Sequence, residues 1–233
     1  MRVMAVGAHP DDIELQCAGT LARCIQRGDA VAMVYMTNGN MGHTVIMPEE
    51  LAEIRHEEAK KSAGVIGASF YWLDHSDFTV EVDPVTTMQL VEVIRDFRPD
   101  LLITHSGQDY IRDHNNTGHV VFKASFDASV PHVEGKNPFH DKIVPIFEMD
   151  TLFGLRFEPT EYVDITAVIE TKKRALGCHE SQVKWLKEHD GIDVVQDMLV
   201  SAQYRGLQCG VKYAEGFKRV NVWGRLGTER LLP

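Results

Sequence analysis

The sequence predicts an α/β fold with a mostly parallel sheet, helices on both faces and a C-terminal elaboration. Short apolar segments alternate with helical patterns through residue 129, which is typical of parallel β-α-β units joined by right-handed crossovers. The first apolar segment, residues 2–8, has the composition of a buried strand, and apolar residues follow at helical spacing over 15–27. Polar residues come directly after two of the strands, where a doubly wound sheet binds its ligands.

The same alternation continues along the chain. We expect strands at residues 29–37, 70–73 and 101–104, and helices at 48–66, 84–97 and 115–129. The helix at 48–66 is the most clearly marked, because it begins with Pro48, carries two glutamates in its first turn and is followed by Gly67.

After residue 130 the pattern is mixed. A strand is expected at 146–153, and helices are expected at 166–180 and 194–204. No repeat or linker divides the chain. We therefore expect one domain over residues 1–233, made of a core at 1–130 and a C-terminal elaboration at 131–233.

Composition limits the classes of function. The net charge of −10 argues against binding of nucleic acid or anionic membranes, because phosphate groups would be repelled. No segment has the length and apolar character of a membrane span, and the first dozen residues do not resemble a signal peptide. The four cysteines form no C-x-x-C pair, which favours free thiols in a reducing cytoplasm.

A cluster of ionisable residues follows the first strand. His9, Pro10, Asp11 and Asp12 come at its carboxyl end, where a dinucleotide-binding protein would have a glycine-rich turn. Histidine and aspartate are common zinc ligands, and catalytic zinc sites use three protein ligands and one water. The alternative is that the aspartates only cap the helix that follows.

A second polar loop follows the strand at 101–104. In the common 3-2-1-4 strand order this loop lies beside the first one, so that His114 can complete a His9, Asp12 and His114 ligand set. His119 lies on another face of the same helix and is left out. Asp113 is placed either to accept a hydrogen bond from a metal-bound imidazole or to cap the helix.

These motifs resemble the PIG-L/LmbE family of zinc-dependent N-acetylglucosaminyl deacetylases. The similarity covers most of the chain and is most specific at the first motif. The matching segments are AHPDD followed by ELQCAGTLA, TNGNMG at 37–42, the helix segment around Arg55, the IRDH segment at 111–114, and the segments around Asp164, Lys172 and His179-Glu-Ser-Gln.

The resemblance implies a Rossmann-like fold and a set of roles. His9, Asp12 and His114 match the family's zinc ligands, although another divalent metal is an alternative. Asp11 matches the general base that deprotonates the attacking water. Arg55 matches an arginine that holds substrate hydroxyls or a phosphate, the alternative being a surface ion pair with Glu58. Several relatives are homo-oligomers, often hexamers.

One position departs from the family. The first histidine of its H-x-D-H motif helps to stabilise the oxyanion or to protonate the leaving amine, and here that position is Ile111. Tyr110, Asp109 and His105 are candidate replacements, as is His43 in the glycine-rich loop.

Three further side chains are candidates for the site. His43, Tyr110 and His179 are predicted to contact substrate, although His179 has an alternative role as a structural histidine near a helix end. Glu14 is expected either behind the ligands or simply on the helix face.

The resemblance favours removal of an N-acetyl group from an amino sugar or sugar conjugate, a small-molecule substrate. A zinc-dependent hydratase acting on an unsaturated carboxylic acid is the alternative, and the departure at Ile111 keeps it open. A non-catalytic metal-binding protein is the least favoured, because such a protein has no need of Asp11 beside an open ligand set.

Overall fold

A computed structural model describes residues 1–233 as a seven-stranded sheet with helices on both faces. The strands are β1 (Arg2–Gly7), β2 (Ala30–Thr37), β3 (Ser69–His75), β4 (Leu101–Thr104), β5 (Ile146–Met149), β6 (Glu161–Asp164) and β7 (Ala214–Arg219). Their order across the sheet is β3-β2-β1-β4-β5-β7-β6. The predicted α/β architecture with a mostly parallel sheet is confirmed.

Strands β1 to β5 pair in parallel, whereas β7 runs antiparallel to both β5 and β6. In the register of β1 with β4, Val6 lies opposite Thr104. The loops that leave β1 and β4 therefore begin side by side at one edge of the sheet. The strand order 3-2-1-4 expected from the sequence is thus found.

Eight α-helices connect and flank the strands. They are α1 (Asp12–Gln16), α2 (Ala18–Arg27), α3 (Pro48–Ile66), α4 (Pro84–Phe97), α5 (Arg112–Asp127), α6 (Ile169–Gly177), α7 (Glu180–Trp185) and α8 (Val194–Cys209). No helix combines the length and apolar character required to cross a bilayer.

Two predicted helices are divided in the structure. The segment 15–27 is interrupted at Cys17, whose backbone is neither helical nor extended (φ −144°, ψ 5°), so that α1 is only five residues long. The segment 166–180 becomes a 3₁₀ turn, then α6, and α7 begins only at Glu180. The strand predicted at 146–153 ends at Met149, where a turn at Leu152–Gly154 follows.

The central strands are buried on both faces. Along β1 and β2 alternate side chains enter two separate apolar clusters, one packed under α2, α3, α6 and α8 and the other under α4 and α5. Val3 and Met33 belong to the first cluster, and Met4 and Val34 to the second. Burial on both faces explains why these strands read as continuous apolar segments rather than as alternating ones.

The antiparallel strands β6 and β7 were not predicted from the sequence. They join the C-terminal elaboration to the sheet and to α2, because the buried carboxylate of Glu215 accepts hydrogen bonds from the backbone N–H groups of Gly19 (2.9 Å) and Thr20 (2.6 Å). Lys172 on α6 pairs with the same carboxylate and donates to the Leu15 carbonyl at 2.8 Å.

Candidate active site

The three predicted ligands lie together at the carboxyl edge of the sheet. His9 and Asp12 follow β1, and His114 lies in the first turn of α5 after β4. One ligand atom from each of the three side chains lies within 4.8 Å of the others. Asp12 and His114 are buried, whereas His9 is partly exposed.

Asp12 lies between the two imidazoles. Its Oδ1 is 3.2 Å from Nε2 of His114, and its Oδ2 is 3.3 Å from Nδ1 of His9. The same carboxylate accepts the His9 backbone N–H at 2.7 Å, which closes the turn after β1. Each imidazole therefore turns one nitrogen toward the central carboxylate.

The second nitrogen of each imidazole faces a different carboxylate. Nε2 of His9 lies 3.2 Å from Oδ2 of Asp113, and Nδ1 of His114 lies 3.1 Å from Oδ2 of Asp109. Carboxylates commonly accept the outer N–H of metal-binding histidines in this way, which fixes the tautomer and the ring orientation. Asp113 thus contacts the imidazole of His9 rather than that of its neighbour in sequence.

Charges around the cluster shift the pKa values of its histidines. Burial acts to lower the pKa of His9, but Asp113 and Asp12 outweigh it and raise the value to about 10. His114 shows the same balance, with Asp12 and Asp109 raising its pKa to about 9. The cluster therefore carries an excess of carboxylate charge that attracts a cation.

His105 is the exception. Burial and the nearby His114 lower its pKa to about 4. Its Nε2 accepts the Ala8 backbone N–H at 3.0 Å, and its ring stacks on His114 with centroids 3.9 Å apart. His105 therefore packs against the ring of His114 and supports it.

The donor set fits a divalent metal such as zinc. Two imidazoles and a carboxylate are the ligand types of catalytic zinc sites, and both imidazoles are held by outer carboxylates. His105, Asp109 and His114 also bring ligand atoms within 4.8 Å of one another. Of these three residues only His114 lines the cavity that lies over His9 and Asp12, so the first set is the better candidate for a catalytic metal.

Asp11 lies beside these ligands in a strained backbone conformation, with φ 123°. Nη2 of Arg55 lies 3.1 Å from Oδ2 of Asp11 and also donates to the Pro10 carbonyl. Burial raises the pKa of Asp11 to about 6, against the opposing charge of Arg55. Strain of this kind is typical of functional positions.

The glycine-rich loop positions Arg55. Its Nη1 donates to the Gly39 carbonyl at 3.1 Å, and Asp77 accepts the backbone N–H groups of Gly39 and Met41, both at 3.0 Å. A side chain at Gly39, which has φ 69°, would collide with the guanidinium. The alternative pairing of Arg55 with Glu58 does not occur, because Glu58 accepts from the backbone and hydroxyl of Ser181.

An open cavity of about 390 Å³ lies over the cluster. Its floor includes His9, Asp11, Asp12, Arg55 and His114. Ile111 is part of the wall, so an aliphatic side chain takes the place of the family's histidine beside the site.

The other candidate side chains lie away from this cavity. His43 lines a separate cleft with Trp185, their ring centroids 5.5 Å apart. Tyr110 is exposed and donates to the Leu152 carbonyl at 3.1 Å. His179 is fully buried, with Nε2 3.1 Å from Oε1 of Glu14. These positions do not support direct contact of His43, Tyr110 or His179 with a substrate in the cavity.

Glu14 is a buried carboxylate behind the first motif. Its Oε1 accepts from the hydroxyls of Tyr35, at 2.7 Å, and Ser62. It joins α1, β2, α3 and the segment before α7, which agrees with a supporting role behind the ligands.

Sequence reasoning missed two features of the site. The sequence predicts Asp109 only as a candidate replacement for the missing histidine, and it does not predict Asp77 as a site residue. The position of Asp109 five residues before His114, ahead of the helix, was the one available signal. No local pattern marks Asp77, because its contacts lie 36 and 38 residues away in sequence.

Comparison with known proteins gives concordant results. The chain is 29% identical over 235 residues to diacetylchitobiose deacetylase from Thermococcus kodakarensis, covering 94% of this chain and 83% of that protein. N,N'-diacetylchitobiose deacetylase from Pyrococcus horikoshii superposes with a TM-score of 0.81 at 27% identity, covering 94% and 83% of the two chains.

A hydratase is equally similar in structure. The 4-carboxy-2-hydroxymuconate hydratase from Pseudomonas putida has a TM-score of 0.83 at 25% identity, and 99% of each chain is covered. The family model described as "PIG-L: GlcNAc-PI de-N-acetylase" matches residues 4–125, which include both motifs of the site. The chain therefore belongs to the PIG-L (GlcNAc-PI de-N-acetylase) family.

Proposed function

We propose that the chain is a metal-dependent N-deacetylase that hydrolyses the linear amide of an N-acetylated amino sugar or sugar conjugate. The observation that carries this proposal is the placement of Asp11 beside His9, Asp12 and His114 on the floor of one cavity. The three ligands are proposed to hold zinc, and elemental analysis of the purified protein distinguishes zinc from other divalent metals.

When bound, the metal lowers the pKa of water and polarises the amide carbonyl. The chain supplies the proton transfers. Asp11 accepts a proton from the attacking water as the new C–O bond forms, and Arg55 holds the Asp11 carboxylate in place. The C–N bond then breaks, and the same proton passes to the nitrogen, giving a free amine and acetic acid, which releases its own proton to solvent and leaves as acetate.

Asp11 thus performs two proton transfers in this proposal: it accepts a proton from water and later donates it to the leaving nitrogen. Ile111 has no proton to donate, and His105, Tyr110 and His43 do not line the cavity. Asp11 is the remaining predicted proton-transfer group that faces the substrate, and a carboxylic acid formed in the first half of the reaction can protonate the amine in the second.

Hydration of an unsaturated carboxylic acid is the second candidate. The similarity to a hydratase over the whole chain favours it. A dicarboxylate needs more than one cationic partner, and beside the proposed metal the cavity offers no free one. The one arginine in the cavity, Arg55, is already committed to Asp11 and to two backbone carbonyls.

The test is acetate release from N,N'-diacetylchitobiose and from N-acetylglucosamine conjugates by the zinc-loaded protein. We expect Asp11→Asn to keep its zinc and to lose turnover by about 10²–10⁴-fold. Undiminished turnover in Asp11→Asn would refute the base assignment. Loss of ultraviolet absorbance from an unsaturated dicarboxylate, without acetate release from any amide, would favour the hydratase.

A cytoplasmic location and a homo-oligomeric state, with a hexamer as one form, are also proposed. Light scattering of the purified protein measures the oligomeric state directly. Fractionation of the source cells tests the location.

A further inference from the structure

Building on the proposed deacetylase, we propose that the natural substrate is a neutral amide that carries an apolar aryl or alkyl group next to the scissile bond. We expect this group to pack against an apolar wall of the cavity. We define this wall as Phe78, Ile111, Leu152, Phe153, Ile192 and Met198. A plain N-acetylated sugar has no apolar group of this size.

Two phenylalanines of the wall are held in an unfavourable backbone conformation. Phe78 has φ 67° and Phe153 has φ 60°, in the left-handed region that bulky residues rarely adopt. Their side chains are 67% and 60% exposed, so burial in the folded chain does not explain why aromatic residues occupy these positions. Strain that persists at a ligand cavity is characteristic of groups placed for binding.

Backbone hydrogen bonds hold the main chain at both phenylalanines. The Phe78 backbone N–H donates to Asp113 at 2.7 Å, the same carboxylate that holds His9. The turn containing Phe153 is closed by the Gly154 N–H, which donates to the Thr151 carbonyl at 3.0 Å. A phenylalanine side chain has few rotatable bonds, so it loses little conformational entropy when it contacts a ligand.

The charges in the cavity fit a neutral substrate. Four carboxylates line the cavity together with Arg55 and two imidazoles, and they belong to Asp11, Asp12, Asp77 and Asp197. Asp12 and the imidazoles are the proposed metal ligands, and Arg55 is paired with Asp11. No lysine lines the cavity, so apart from the proposed metal no uncommitted cation faces an anionic group on the substrate. Gln16, Gln182 and Ser201 can hydrogen-bond to neutral polar groups of a substrate, and the wall adds apolar contact.

The test compares three amides. Methyl N-acetylglucosaminide is the reference, phenyl N-acetylglucosaminide carries the apolar group on the sugar side, and methyl N-hexanoylglucosaminide carries it on the acyl side. Affinity is measured by calorimetry with zinc-loaded Asp11→Asn, and kcat/KM by amine release with the wild-type protein. We expect either the phenyl glycoside or the hexanoyl amide to bind about tenfold more tightly than the reference, because part of its apolar group leaves water. The compound that binds more tightly shows on which side of the scissile bond the wall lies.

Substitutions in the wall test whether the tighter binding of the apolar amide depends on the two phenylalanines. Phe78→Asn and Phe153→Asn remove the aromatic rings, and asparagine tolerates the left-handed backbone. Both should abolish the preference for the apolar amide. Phe126→Asn is the matched control, because Phe126 is 48% exposed on α5 and lies outside the cavity. It should keep the preference.

The outcomes separate the two proposals. Equal affinity for all three amides, or a preference unchanged in both cavity variants, overturns the apolar substrate even if every amide is hydrolysed. Selective binding without hydrolysis overturns the deacetylase and leaves the apolar specificity standing. Light scattering compares the oligomeric state of the wild-type protein and of Phe153→Asn. If the variant dissociates, Phe153 contacts another copy of the chain, and its role in binding substrate is overturned.

Discussion

Arg55 and Asp11 form a mostly buried pair, with Nη2 of the guanidinium 3.1 Å from Oδ2 of the carboxylate. The two residues lie 44 positions apart, one on α3 and the other at the end of the turn after β1. The pair connects the glycine-rich loop to the floor of the cavity. It accounts for how a carboxylate in a strained turn keeps one orientation beside the proposed metal ligands.

Removal of Arg55 should therefore affect both stability and turnover. We expect Arg55→Met to lose about 3 kcal/mol of unfolding free energy, because a mostly buried carboxylate loses its partner. The loss should be at the lower end of the usual range, since the Asp11 side chain is 18% exposed. Turnover should fall while zinc content is unchanged. Chemical denaturation and elemental analysis measure these effects, and unchanged kcat in a folded Arg55→Met protein would contradict the positioning role.

Gly39 should be intolerant of a side chain for two reasons. Its φ is 69°, and a Cβ there would come within 3.0 Å of the Arg55 guanidinium. Gly28 is the matched control, because it has φ 90° and open space around it. We expect Gly28→Ala to cost about 1 kcal/mol of backbone strain. Gly39→Ala should cost about 2 kcal/mol more and lower turnover, because Arg55 must move. Equal effects of the two substitutions on denaturation and turnover would show that the contact with Arg55 does not matter.

The outer carboxylates should control metal affinity. Asp113→Asn and Asp109→Asn each weaken the hydrogen bond to the second nitrogen of a proposed ligand, His9 or His114. We expect each variant to lower zinc affinity by about 10- to 100-fold, measured by competition with a chelator. Asp127→Asn is the control, since Asp127 pairs only with Lys123 on the surface of α5. Affinities equal to that of the control would exclude this supporting role.

The buried pair of His179 and Glu14 should make stability depend on pH. Burial acts to lower the pKa of His179, but the Glu14 carboxylate outweighs it and raises the value above 6.5, with Asp11 adding to the increase and Arg55 opposing it. A raised pKa in the folded state contributes stability that is fully present below the unfolded value and is lost as the pH rises through the folded value.

The comparison of wild type with His179→Asn measures this contribution. The difference in their unfolding free energies should be largest near pH 6 and should decline as the pH rises above about 6.5. NMR titration of the His179 ring gives its pKa independently. A difference that stays constant from pH 6 to pH 9, or a pKa of His179 below 6.5, would be inconsistent with the ion pair.

Much of the proposed metal group could be predicted from the sequence, because its signals are local. His9 and Asp12 directly follow a strand, His114 lies at the start of a helix after another strand, and parallel strands end at the same edge of a sheet. The strand order brought the two loops together as expected. The ends of elements were less well predicted, since Cys17 divides one helix and α6 and α7 divide another.

The antiparallel strands β6 and β7 could not be predicted from local pattern. The buried residues of β7 include Glu215, whose carboxylate caps the first turn of α2 almost 200 residues away. A glutamate in a short strand is ordinarily a sign of exposure, and its burial depends on Lys172 and on the α2 backbone, which only the folded chain brings near.

The sequence by itself determined the fold class, the family resemblance and the set of side chains available for chemistry, because apolar periodicity and strand-end motifs are encoded over a few residues. Only the tertiary structure decided which carboxylate holds which imidazole, that Arg55 pairs with Asp11 rather than Glu58, and that two strained phenylalanines line the cavity. The physical reason is that these relationships depend on distances of a few ångströms between segments far apart in the chain, and local propensity contains no information about such distances.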